Sequence, residues 1–167
     1  MIIKNHPIFA TWLLCLGSFL SSNLWAEQCN TSVDDTLYQL HRAAAQAEGE
    51  VYFQLFTADA YYIGTDANET WTLKEFKQFA KPYLDNGRGW LYEVKQRHVT
   101  LHDKNGTAWF VELLNNDKYG TSRGSGVLLK EQGCWKIAQY HLAFPIPNAI
   151  AAELTAKIKA YEKKNEH

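Results

Sequence analysis

Residues 107–144 read TAWFVELLNNDKYGTSRGSGVLLKEQGCWKIAQYHLAF, and this stretch decides the fold. Runs 107–114, 119–130 and 134–144 are rich in aromatic and β-branched residues. They are parted by Asn115-Asn116-Asp117-Lys118 and by Glu131-Gln132-Gly133, the polar composition that reverses a chain between antiparallel strands. A fourth run, 90–102, precedes them across Asp103-Lys104-Asn105-Gly106. Four consecutive hairpin-connected strands follow from this pattern. Toward the N-terminus the period changes to that of a helix: Val33, Leu37, Leu40, Ala44 and Ala47 recur after Thr31 and Ser32, which can cap, and Gly49 interrupts. A short helical piece over 50–56 is predicted to turn Val51, Leu55 and the neighbouring rings inward, Thr57-Ala58-Asp59 to turn the chain, and 60–63 to form a short strand. Thr72 and Glu75 form a capping box stapled by Trp71 and Phe76, opening a helix with Phe76, Phe79, Ala80 and Tyr83 on one face. Beyond Pro145 and Pro147, Ile150, Leu154, Ile158 and Tyr161 mark a terminal amphipathic helix over 148–167, with Lys157, Lys159, Lys163 and Lys164 as its solvated face. The expected class is α+β: a curved antiparallel sheet wrapped on three N-terminal helices, with an additional C-terminal helix.

The chain has 167 residues, enough for one core and too few for two ordinary domains. Lys plus Arg number 17 against 18 Asp plus Glu, so no global positive field exists to hold phosphates, and nucleic acid is not an expected partner. Phe, Trp and Tyr make up 14% of the chain, which argues against disorder.

Residues 1–26 carry one lysine, Lys4, no acid, an apolar run over 8–20 and a small residue at Ala26. That is the pattern of a cleaved secretory signal, the run being shorter than the ~20 residues a membrane span needs; an uncleaved N-terminal anchor is the alternative. Cleavage after Ala26 leaves 141 residues with 16 basic and 18 acidic side chains, and two of the three cysteines. Residues 27–32 are then a short lead. In an oxidising periplasmic or extracellular compartment, Cys29 and Cys134 are expected to pair, against the alternative of two reduced thiols. No membrane anchor is expected after processing.

Several phrases of the mature chain together resemble the SnoaL-like branch of the nuclear transport factor 2-like superfamily: Tyr52-Phe53-Gln54-Leu55-Phe56-Thr57-Ala58-Asp59-Ala60, Ile63-Gly64-Thr65-Asp66, Trp71-Thr72, and Gly87-Arg88-Gly89-Trp90. Trp109-Phe110-Val111-Glu112, Arg123-Gly124-Ser125-Gly126 and Trp135-Lys136-Ile137-Ala138-Gln139-Tyr140-His141-Leu142 add to the likeness, which covers 33–147. The resemblance implies a cone: a bent sheet wrapped on helices, with a deep pocket open at one end. It also implies a homodimer through the outer sheet face. The superfamily includes isomerases, dehydratases, cyclases and non-enzymes, so the fold does not settle function.

Polar residues inside apolar strands mark the place for chemistry. On strict alternation Trp135, Ile137, Gln139 and His141 share one face, and Tyr119, Thr121, Arg123, Ser125 and Val127 share one face of the preceding strand, unless a bulge flips the relation. Glu112 interrupts an apolar strand; buried alone it would cost several kcal/mol, so it is solvated, paired with a cation such as Arg123, or protonated. Glu112, Arg123 and His141 are the candidate catalytic set, with Tyr62, Asp66, Trp90 and Tyr140 as ligand-binding residues around the pocket. The competing reading makes Glu112 and Arg123 a cross-strand ion pair and His141 a hydrogen-bonded sheet residue. No nucleophile motif, phosphate loop or dinucleotide fingerprint occurs, and no cofactor is expected. His98 and His102 fall in a strand, where four residues span ~13 Å, so no metal site is expected from the pair. Three functions stay open: a module binding a small apolar or ring-containing ligand, an isomerase, dehydratase or cyclase, and a periplasmic interaction protein.

Overall fold

The computed structural model describes residues 31–102 and 106–165; the expected signal segment and Cys29 lie outside the described residues. The chain runs α1 (Val33–Ala45), α2 (Gly49–Gln54), β1 (Phe56–Ile63), β2 (Thr70–Thr72), α3 (Leu73–Leu84), β3 (Glu93–His102), β4 (Thr107–Asn116), β5 (Gly120–Glu131), β6 (Cys134–Ala143), a short 3-10 turn (Asn148–Ile150) and α4 (Ala151–Asn165). The six strands form one sheet in the order β2-β1-β6-β5-β4-β3. All neighbours are antiparallel except β1 and β6, which run parallel and so join the start of the sheet to its end.

Local chemistry accounts for the helix entries. Ser32 caps α1 through a box with Asp35, and Thr72 caps α3 through the box with Glu75 that the sequence predicts. Trp71 and Phe76 stack across that second entry with ring centroids 5.9 Å apart. One stripe of α1 (Val33, Leu37, Leu40, Ala43, Ala44) packs with Tyr52 and Phe53 of α2, Phe76, Ala80 and Leu84 of α3, and the concave sheet face. That face contributes Ala108, Phe110, Leu114, Leu128, Ile137, Tyr140 and Leu142.

Three expectations change. Val51 is exposed, while the neighbouring rings Tyr52 and Phe53 do turn inward. Thr57-Ala58-Asp59 does not turn the chain but lies inside β1, whose irregular register between Phe56 and Tyr61 absorbs the bend. Phe79 and Tyr83 do not enter the core; they stand exposed on α3, where Phe79 stacks on Trp71 at 4.7 Å.

The most consequential irregularity is a bulge in β6. Leu128 pairs with Ile137 while its neighbour Val127 pairs with Gln139, so Ala138 is an extra residue. Before it Trp135 and Ile137 face the core; after it Tyr140 and Leu142 do. A second bulge at Lys95 similarly resets β3, so that Arg97 lies directly opposite Glu112. Deleting Ala138 alone would remove the bulge and leave Ile137, Tyr140 and Leu142 in phase on the core face, whereas deleting Ala138 and Gln139 together should bring Tyr140 opposite the outward Val127 and eject Tyr140 and Leu142 from the core. At roughly 1.5–3 kcal/mol for each buried large side chain, a loss of more than ~3 kcal/mol is expected. Chemical denaturation followed by near-UV circular dichroism measures it, and an unchanged midpoint would contradict this account of the register.

Candidate functional site

Glu112 sits in the middle of β4 on the concave side, only 1% exposed. Its cross-strand neighbours are Arg97 on β3 and Gly124 on β5. Oε2 accepts a hydrogen bond from Arg97 Nε at 2.9 Å and lies 2.8 Å from Nη2. Oε1 lies 2.7 Å from His41 Nε2 on α1 and accepts from the Tyr140 hydroxyl at 3.1 Å. Arg97 also reaches Asp34 at the start of α1, at 3.4 Å. One carboxylate thus ties α1 to three strands.

Burial pushes the Glu112 carboxyl toward protonation, but hydrogen bonds and positive charge from His41 and Arg97 outweigh it and hold the pKa below the ordinary carboxylate value. An ionised carboxylate offers only acceptors, so His41 must present Nε2–H to it. Burial first, then the Glu112 charge, pushes the Tyr140 phenol well above its usual pKa, so that it stays a donor. Gly124 makes the cluster possible: a Cβ there would lie 2.5 Å from the Tyr140 hydroxyl and 2.7 Å from Glu112 Oε1.

Beside this cluster the concave face opens into a cavity of about 300 Å³. Tyr62, Trp71, Phe76, Phe79, Trp90 and Tyr92 dominate its wall, with Glu69 and Tyr119 also on it. Tyr62 and Phe76 stack face to face at 3.8 Å, and Trp71 continues the stack. A much smaller chamber of about 10 Å³, bounded by His41, Tyr52 and Tyr140, shares Tyr62, Trp90, Tyr92 and Leu142 with the main cavity. Trp90 is positioned by its backbone N–H, which donates to the Ala44 carbonyl of α1 at 3.1 Å.

The candidate residues from the sequence therefore separate. Tyr62 and Trp90 stand on the cavity wall, and Tyr140 borders the small chamber. Asp66 is in the exposed turn after β1, accepting from the Asn68 backbone N–H at 2.9 Å, and does not line the cavity. Arg123 and His141 do not converge with Glu112. Arg123 is exposed on the opposite sheet face and lines a depression there with Gln96, His98 and Leu113. His141 sits on that same outer face, paired with Ser125, because the Ala138 bulge reverses the alternation. The cation on Glu112 is Arg97, and the histidine is His41. Arg97 was obscured by the bulge at Lys95. His41 had one signal: it flanks the Leu37, Leu40, Ala44 stripe of α1 as the polar member of an otherwise apolar face. Among the described residues no three His, Cys, Asp or Glu side chains are grouped to hold a metal ion.

Residues 33–147 match the SnoaL-like domain, and the chain belongs to that family. No protein of curated function matches the sequence. Among solved structures, an NTF2-like protein of unknown function from Pseudomonas putida KT2440 aligns with a TM-score of 0.59 at 10% identity, covering 70% of this chain and 86% of that one. A proposed dehydratase of the NTF2-like family from Streptomyces avermitilis aligns at 0.59 and 14% identity over 69% and 94% of the two chains. A proposed ketosteroid isomerase from Shewanella frigidimarina gives 0.51 and 17% over 65% and 91%. At these identities the likeness is one of fold.

The cluster makes a pH prediction with a definite sign. Because the folded pKa of Glu112 is depressed, its contribution to stability is full above the unfolded-state pKa and is lost as pH falls through the folded value. The denaturation midpoint of the native chain should therefore fall more steeply below about pH 5 than that of Glu112→Gln. Removing the cation by Arg97→Met leaves a buried carboxylate without its main charge partner and should cost about 3–5 kcal/mol at neutral pH. Parallel pH profiles for the native chain and Glu112→Gln would remove the cluster from the stability account.

Proposed function

We propose that the domain is an exported small-molecule-binding cone whose ligand is apolar or ring-containing. The observation that carries this reading is the division of labour on the concave face. The open cavity is walled by aromatic rings, whereas the strongest ionic groups, Glu112 and Arg97, are consumed by each other behind it. A pocket built in this way favours ring-shaped ligands by area and stacking, with few polar anchors. Export is supported by the signal pattern of residues 1–26 and by Cys134 standing in a disulfide, for which Cys29 is the proposed partner. Such a bond would contribute about 4–5 kcal/mol on the chain-entropy account. A homodimer through the outer sheet face is supported by Trp109 and Val111, which leave apolar surface exposed there.

A second reading is catalytic, and one observation favours it: His41 and Tyr140 border the small chamber and share Glu112, an arrangement of carboxylate, imidazole and phenol suited to proton transfer. A dehydratase or isomerase built this way would lose turnover but keep ligand affinity on His41→Gln.

Thermal shift against ring compounds, followed by titration of the Trp71 and Trp90 fluorescence, tests the binding reading. Phe79→Asp, at an exposed rim position, should weaken binding by about tenfold or more with little change in melting temperature. Retained affinity in both Phe79→Asp and Trp71→Ala would overturn the cavity as the binding site. For the exported form, intact mass should begin at Glu27 and rise by two hydrogens on reduction.

A further inference from the structure

The wall of the aromatic cavity has a sign. None of its lining residues is Lys or Arg, and its single ionisable carboxylate is Glu69. Glu69 accepts from the Asp66 backbone N–H at 3.2 Å and forms no ion pair among the described residues. It is seated against the end of β1 because residue 64 is glycine: a Cβ there would lie 2.2 Å from Glu69 Oε2. Burial raises the Tyr62 phenol, and the neighbouring Tyr92 and Glu69 raise it further, so these oxygens share one small region. Ring faces carry the negative lobe of the aromatic quadrupole, which adds to the carboxylate instead of opposing it. Lys118 lies 4.8 Å from the ring centroid of Tyr119, a rim ring, and is itself not among the residues of the wall.

We propose that the cavity takes a small organic cation, a quaternary or alkylated ammonium, with its charge against the aromatic wall and facing Glu69. This rests on the reading of the cavity as the ligand site and adds a positive charge to the apolar ligand proposed above. An organic anion would meet the Glu69 carboxylate with no Lys or Arg on the wall to offset it, and a neutral ligand would leave Glu69 without a counter-charge. The cavity volume of about 300 Å³ admits an ammonium head with several carbon substituents.

Calorimetric titration of the purified full chain with three probes of one shape separates the possibilities: choline, its neutral isostere 3,3-dimethylbutan-1-ol, and the anion 3,3-dimethylbutanoate. Choline should bind at least about tenfold more tightly than the neutral probe, and the anion should bind weakest. Glu69→Gln should lower the choline preference by about tenfold while leaving the neutral probe unchanged; Asp66→Asn, in the same turn but off the wall, should leave the preference intact. Should Glu69→Gln disturb the turn, Trp71→Leu supplies a second variant, removing a ring face without touching the carboxylate. Equal or tighter binding of the neutral or anionic probe overturns the cation assignment while leaving the cavity a ligand site. Failure of all three probes, with ring compounds still quenching Trp fluorescence, also overturns it. Failure of ring compounds and probes together overturns the binding reading itself.

Discussion

The concave half of this domain is organised around one buried charge. Glu112 is surrounded by protein on every side, and its ionised form persists because Arg97, His41 and Tyr140 donate to it from β3, α1 and β6. An ion pair in such a place adds little net stability over well-packed apolar residues, since desolvation consumes most of the attraction. Its effect is on specificity. Apolar contacts between α1 and the sheet would tolerate sliding, whereas a carboxylate with three directed partners has one geometry that satisfies it. The position of α1 across the sheet, and with it the seat of Trp90 on the Ala44 carbonyl, follows from that geometry.

The charge and the cavity communicate through Tyr140. Its hydroxyl is held by Glu112, its ring lies 5.6 Å from Tyr62 in a near-parallel stack, and Tyr62 in turn lies face to face on Phe76. A continuous line of contacts therefore runs from the ionic cluster to the rim, through groups fixed at one end by directed hydrogen bonds. Such a line conveys position without needing to move. It keeps the small chamber beside His41 and the larger aromatic cavity in constant register.

Much of the fold was legible because its signals are local. A capping box needs only four residues to declare itself, and Thr72 with Glu75 did so; the strand runs and their polar turns were likewise readable from short windows. The site was less legible because its geometry depends on parity. Ala138 and Lys95 are ordinary residues with no Gly or Pro beside them to mark a bulge, yet each reverses which side chains face inward. Alternation left open which way the rows carrying Arg123 and His141 point, and the actual partners of Glu112, Arg97 and His41, lie 15 and 71 residues away along the chain. The reasoning that a buried carboxylate must find a cation was sound at Glu112; the identity of the cation was a register question. Trp90, which stands before β3 and therefore ahead of the bulge at Lys95, could be read more directly.

The cavity is also a thermodynamic statement about where the chain exposes its rings. Each apolar square ångström left in water forfeits about 25 cal/mol, so a small domain minimises such surface unless something covers it. Phe79, Tyr119 and Phe144 are nonetheless exposed side by side around one opening, and Tyr119 and Phe144 contact each other with centroids 5.0 Å apart. Collapse would relieve the exposure, but the stack of Tyr62, Phe76 and Trp71 is already packed on its own members and cannot fold inward without separating rings. The stack thus props the opening against the hydrophobic force that would close it, and the cost of the open form is concentrated in a place where a bound ring or ammonium head would recover it.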